Sequence, residues 1–176
     1  MELVNKLNNY GLVAKLFHWI TLLALIVQMP LGLYLIDLEF SDKRIDLENI
    51  HILIGISIFY LVLLRLIWKL INPTPKHWRE YFKGQEIIAN INHFLLYISI
   101  FAITISGILK KLYMGEKLNF FIFEYAFKKL NFQLSDNFYL MHVYANYLLI
   151  TLVIIHIVAV IVHHIFFKDK ILKKML

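Results

Sequence analysis

Four stretches of this 176-residue chain, 12–36, 50–71, 91–109 and 138–167, are almost free of charge. Each is long enough for the roughly 20 apolar residues that cross a bilayer core. Hydrocarbon offers no partner to a backbone amide, so a crossing segment must satisfy its own hydrogen bonds, which makes these stretches helices. Short polar connections set sequential helices antiparallel. The predicted fold is therefore all-α, a four-helix transmembrane bundle forming one domain over 1–176, with membrane lipid as its main surroundings. The 60% apolar content and mean hydropathy of +0.68 agree with this.

Composition narrows the chemistry. With no cysteine, the chain has no disulfide, no iron–sulfur or zinc–thiolate site and no covalent c-type haem attachment. It has no Gly-rich phosphate loop, no G-x-S-x-G elbow and no evident internal repeat. The net charge of +6 does not indicate nucleic acid, because the basic residues cluster at the ends of the apolar spans, where Lys and Arg anchor helices. The first apolar run is longer than the core of a signal peptide and lacks a small-residue cleavage site, so it is expected to remain as a helix.

An even number of spans puts both termini on one side. Lys6 and Lys15, then Lys69, Lys76, Arg79 and Lys83, then Lys168, Lys170, Lys173 and Lys174 mark that side. The opposite loop Asp37 to Glu48 has five acids against Lys43 and Arg44. The positive-inside rule then predicts cytoplasmic termini, although the second opposite loop carries Lys110, Lys111, Lys117, Lys128 and Lys129. That loop is also rich in aromatics, from Tyr113 through Phe120, Phe121, Phe123, Tyr125 and Phe127 to Phe132. It reads either as a short helix in the headgroup region or as an aromatic loop touching lipid. In the inner loop the prolines of Asn72-Pro73-Thr74-Pro75 end the second helix.

The histidines carry the chemistry. His142 and His156 are fourteen residues apart on the fourth helix. They point within about 40° of each other and lie about 21 Å apart along the axis. His51, expected to open the second helix on the outer side, matches the level of His142, and His18, in the inner half of the first helix, matches His156. A lone intramembrane histidine often only bonds a neighbouring helix. Two depth-matched pairs suit two non-covalent haems, each iron held between imidazoles from facing helices. Neither pair brings a carboxylate that would favour a bare metal ion.

Other polar residues have two readings each. His93, expected to open the third helix near the level of His18 and His156, is either an alternative axial ligand or a contact behind the ligands or to a propionate; flanking Asn90 and Asn92 favour the second. Arg65, fourteen residues after His51, either pairs with a propionate of the inner haem or snorkels outward beside Trp68 and Lys69. His163, seven residues after His156, either bonds a quinone carbonyl or belongs to an interfacial cluster, and His164 points elsewhere.

The segments LFHWITLL with His18, HILIGISIFYLVLLRLIWKLINPTP with His51 and Arg65, and MHVYANYLLITLVIIHIVAVIVHHIFFKD with His142, His156, His163 and His164 resemble the bacterial cytochrome b561 family over nearly the whole chain. The resemblance implies a four-helix inner-membrane protein with two b haems, ligated at positions matching His18 with His156 and His51 with His142. A family histidine matching His93 is not usually counted as an iron ligand.

The resemblance further implies electron exchange with the quinone pool. Some members resemble superoxide oxidases that pass an electron from superoxide at the outer face to ubiquinone. Lys43, Arg44, Lys110 and Lys111 are candidates for attracting such an anion, although neighbouring acids oppose a strongly positive funnel. The expected function is thus an oxidoreductase-type electron carrier in the respiratory membrane. The alternative is a cytochrome b anchor subunit of a larger hydrogenase or dehydrogenase, against which the short chain and small outer loops weigh.

Overall fold

The computed structural model describes residues 2–75, 81–169 and 171–176. Lys76, Arg79 and Lys170 of the expected basic rim lie outside the described residues. Four long helices, α1 Leu12–Asp37, α2 Asp42–Ile71, α3 Gln85–Tyr113 and α4 Phe132–Ile165, are each long and apolar enough to cross a membrane. A short α5, Ile171–Met175, follows α4. Between α3 and α4 a small antiparallel pair, β1 Leu118–Asn119 and β2 Glu124–Tyr125, places Leu118 opposite Tyr125.

The helices overrun the expected apolar spans where polar chemistry favours starting a helix. α2 begins at Asp42 rather than Ile50, because the Ser41 hydroxyl accepts from the Arg44 amide at 3.3 Å and Asp42 sits in the positive first turn. Most of the acidic connection expected at Asp37 to Glu48 is therefore helix, and His51 lies within α2 instead of opening it. α3 likewise begins at Gln85, so His93 stands two turns inside it. In α4 the Asn131 side chain accepts from the Leu134 amide at 3.0 Å and starts the helix at Phe132, six residues before Phe138. The aromatic outer connection forms a hairpin, with no interfacial helix. Its Phe and Tyr residues suit a pleated surface, and Phe121 takes the left-handed turn position at φ 69°.

The main packing is α3 against α4 and α1 against α2, with α2 against α3 joining the two hairpins. One seven-residue step, two helical turns, recurs on all four helices. It runs His18, Leu25, Gly32 on α1; His51, Ile58, Arg65 on α2; His93, Ile100, Gly107 on α3; and His142, Leu149, His156 on α4. Ile58, Ile100 and Leu149 are buried together with Val62, and Leu25 packs on them. This central layer separates a layer of Gly32, His51, Gly107 and His142, at the end away from both termini and called outer below, from a layer of His18, Arg65, His93 and His156 at the termini's end, called inner.

Leu149 is 1% exposed at that centre, whereas Ile155 is 51% exposed on the lipid-facing side of the same helix. Leu149→Ala is expected to lower unfolding stability in detergent by about 2–5 kcal/mol, and Ile155→Ala by well under half as much. Equal losses in thermal or SDS unfolding would show that Leu149 is not in the core.

Candidate functional site

In the outer layer the rings of His51 and His142 face each other with centroids 6.1 Å apart and planes at 72°. His142 Nδ1–H donates to the Ile103 carbonyl at 2.8 Å, which leaves Nε2 as the unprotonated ring nitrogen. Gln28 donates from Nε2 to the His51 carbonyl at 2.9 Å, while its own Oε1 and the Nδ1 of His51 are buried without a hydrogen-bond partner.

Both rings stand against glycines on the facing helices. A Cβ on Gly32 would meet His51 Cε1 at 3.0 Å, and one on Gly107 would meet His142 Nδ1 at 3.0 Å. A cavity of about 170 Å³ opens between these rings, lined also by Gln28, Leu118 and Asn146. At its mouth, Lys111 lies 2.8 Å from Glu48 and 2.7 Å from Glu116, and Lys110 lies over the Tyr139 ring.

In the inner layer His18 and His156 have ring centroids 6.4 Å apart at 58°. His93 lies closer to His156, at 5.2 Å and 71°. Arg65 is turned into the bundle: its Nη2 donates to His18 Nδ1 at 2.9 Å and its guanidinium lies 5.7 Å from the Tyr97 ring centre. The Trp19 ring stands edge-on to His18 at 5.5 Å, and its indole N–H donates to the Met175 carbonyl at 2.7 Å, so α5 closes this end. Just before α1, burial raises the pKa of the Tyr10 phenol, opposed by the charge of Arg65.

These separations have a chemical meaning. An imidazole nitrogen binds a metal at about 2.0–2.1 Å, so two rings on opposite sides of one metal hold their centres roughly 6.3 Å apart. His51 with His142 and His18 with His156 match that figure, and His93 with His156 falls short by about an ångström. Both matching pairs, the glycine cradles and the orphaned His51 Nδ1 fit a flat iron porphyrin between the rings. Among the described residues no group of three or more His, Cys, Asp or Glu side chains is arranged to hold a metal ion.

His163 is half-buried, with Nδ1 2.5 Å from Asp169 Oδ2, and the Tyr81 ring stands 5.9 Å from it. Asp169 also accepts the Ile171 amide at 3.2 Å, and its charge opposes a burial effect that lowers the pKa of Lys174. His164 is exposed. The sequence reading missed Gly32, Gly107, Gln28, Tyr97 and Asp169. The seven-residue step carried a signal for the two glycines; nothing local marked the other three.

The fold and its paired imidazoles define a membrane cytochrome with non-covalent haem. The chain belongs to the family described as Prokaryotic cytochrome b561, whose profile matches residues 9–176. It is similar to the Escherichia coli (strain K12) protein named cytochrome b561 homolog 2, with 27% identity over 179 residues, all of this chain and 95% of that protein. It is accordingly a multi-pass bacterial membrane protein, a b-type cytochrome for membrane electron transfer.

A Cβ at either glycine would press on the facing imidazole at 3.0 Å, so the ring would have to give way. Gly107→Val is expected to push the His142 ring aside and to weaken haem retention by the purified protein by about 1–3 kcal/mol. Haem content and the low-spin spectrum of the purified variant report this, and an unchanged spectrum would refute the cradle.

Proposed function

We propose that this chain, as a single membrane domain, holds two b haems, one between His51 and His142 and one between His18 and His156, and carries electrons across the inner membrane in exchange with the quinone pool. The observation that carries the reading is a pair of imidazole couples, each at the separation of two rings around one metal, on helices that set them two depths apart. Each haem b supplies a one-electron Fe(III)/Fe(II) couple when bound.

The residues do the rest. At the outer pair the Ile103 carbonyl fixes the His142 tautomer, so its Nε2 presents the ligating lone pair. At the inner pair Arg65 Nη2 lies 2.9 Å from His18 Nδ1; a haem held by His18 Nε2 would put the imidazole proton on Nδ1 and release that bond, while the guanidinium would remain as a fixed positive charge beside the ligand, favouring the reduced, less positive state of the site. His93 supports His156 from the side, and its separation from His156 is too short for the ligand on the opposite face. The middle layer of Leu25, Ile58, Ile100 and Leu149 excludes water between the two levels.

The quinone reading rests on His163. Its Nδ1–H donates to Asp169, which leaves Nε2 to accept from a quinol hydroxyl or, when protonated, to donate to a quinone carbonyl. The basic ends Lys6, Lys15, Lys69, Lys83, Lys168 and Lys173 support cytoplasmic termini and an inward-facing quinone site. Superoxide is the proposed outer donor, since Arg44, Lys110 and Lys111 line the mouth of the cavity at His51 and His142.

Single alanine variants test the reading. His18, His51, His142 and His156→Ala are each expected to lose one of two haems per chain, and His93→Ala to keep both, by pyridine haemochrome assay and redox titration. Loss of a haem on His93→Ala, with His18→Ala retaining both, would show the inner pair to be misassigned. In the intact protein, rapid haem reduction by generated superoxide supports that donor. A co-purifying metalloenzyme, without such reduction, would favour the anchor-subunit role.

A further inference from the structure

The outer hairpin reaches far deeper than a surface loop. Glu48 of α2 and Lys111 of α3 pair at 2.8 Å and mark the charged level at the outer end of the bundle. Tyr60 follows Glu48 by twelve residues, which places its Cα about 18 Å further along the helix. Its hydroxyl donates to the Phe120 carbonyl at 3.4 Å, and its ring lies 6.3 Å from that of Phe121. Even with the tyrosine and its hydrogen bond leaning their full length back toward the helix N-terminus, that carbonyl stays roughly 8 Å below the charged level. Glu116 is held at that level by Lys111 at 2.7 Å. The four residues from Glu116 to Phe120 span at most about 13–14 Å when extended, so β1 must run steeply inward.

Composition follows the same gradient. Residues 118–123, Leu-Asn-Phe-Phe-Ile-Phe, carry no charge, and the charges that bound them, Lys117 and Glu124, pair with each other. At the tip Phe121, Ile122 and Phe123 are 56%, 82% and 53% exposed. Two amides there are paired within the hairpin: the Phe120 amide donates to the Phe123 carbonyl at 2.8 Å, and the Phe121 amide to Asn119 Oδ1 at 2.8 Å.

We propose that residues 118–125 form a re-entrant wedge whose tip, Phe121-Ile122-Phe123, is immersed in the acyl chains of the outer leaflet. Leu118, 4% exposed, lines the cavity between His51 and His142, so the wedge walls that cavity off from lipid. The partner is lipid hydrocarbon. The tip offers no charge for a headgroup, and its depth is tied to Tyr60 within the apolar part of α2.

The cysteine-free chain allows a clean test. Ile122→Cys, Lys129→Cys and Ile155→Cys, each carrying a nitroxide, are reconstituted as haem-loaded protein in phosphatidylethanolamine–phosphatidylglycerol vesicles. Collisions with oxygen, which concentrates in lipid, are compared with collisions with a water-soluble nickel chelate. The oxygen-to-nickel ratio at 122 is expected to be several-fold above that at 129 and close to that at 155. A ratio at 122 equal to that at 129 would put the tip in water and overturn the proposal. Shielding of 122 from both reagents would also overturn it, in favour of cover by protein such as a second copy.

Discussion

Unpaired backbone is intolerable in hydrocarbon, and the architecture follows from that. A crossing segment must be helix, and an uninterrupted helix converts residue spacing into depth at a fixed rise. α4 runs unbroken from Phe132 to Ile165, so His142 and His156 have no freedom in their separation once the helix forms. The other three helices share its seven-residue step, and the layers therefore come into register across the bundle without any connection having to specify them. A break in α4 between the two histidines would uncouple both levels at once.

The same step explains why the bundle is tight at the middle and open above. Large aliphatic residues meet at Leu25, Ile58, Ile100 and Leu149, and close packing there draws the helices together. One step outward, two of the four helices present Gly32 and Gly107, and the imidazoles of the other two take up that space. One step inward all four positions are polar, so they must satisfy one another. Arg65 bonds His18 and lies over Tyr97, a better destination for a guanidinium than the surface it was equally able to reach. The outer layer is less complete, since His51 Nδ1 and Gln28 Oε1 are buried with no protein partner, and burial of such atoms is costly.

Much of this was legible in the sequence. The four apolar runs gave the helices and their order, and the fourteen-residue spacing gave the two levels and the facing partners, because both signals rest on the fixed geometry of a helix. Helix starts were misjudged where hydropathy and capping disagree: Ser41 and Asn131 begin α2 and α4 in polar sequence that an apolar window excludes. The outer hairpin was hidden for a different reason. Phe120, Phe121, Ile122 and Phe123 are equally apolar whether laid flat or turned inward, and only the contact with Tyr60, sixty residues away from Phe120, decides between them. The bond between Asp169 and His163 depends on the chain turning back after α4, where Lys168 takes a left-handed conformation.

The charged rim bears on what reaches the outer pair. Arg44, Lys110 and Lys111 surround the mouth of the cavity, but Lys111 is shared between Glu48 and Glu116, and Arg44 donates to the Leu38 carbonyl at the end of α1. Counting those three cations against the two carboxylates leaves a surplus of one positive charge (3 − 2 = +1). Screening at physiological salt confines such a surplus to about 8 Å, so long-range steering of an anion is weak. Its effect lies close in, where the low-dielectric walls strengthen the attraction once an anion has entered. The charge at this mouth is thus suited to a short-range selection by sign rather than to a funnel. Leu118 of the hairpin forms part of the wall of that same cavity.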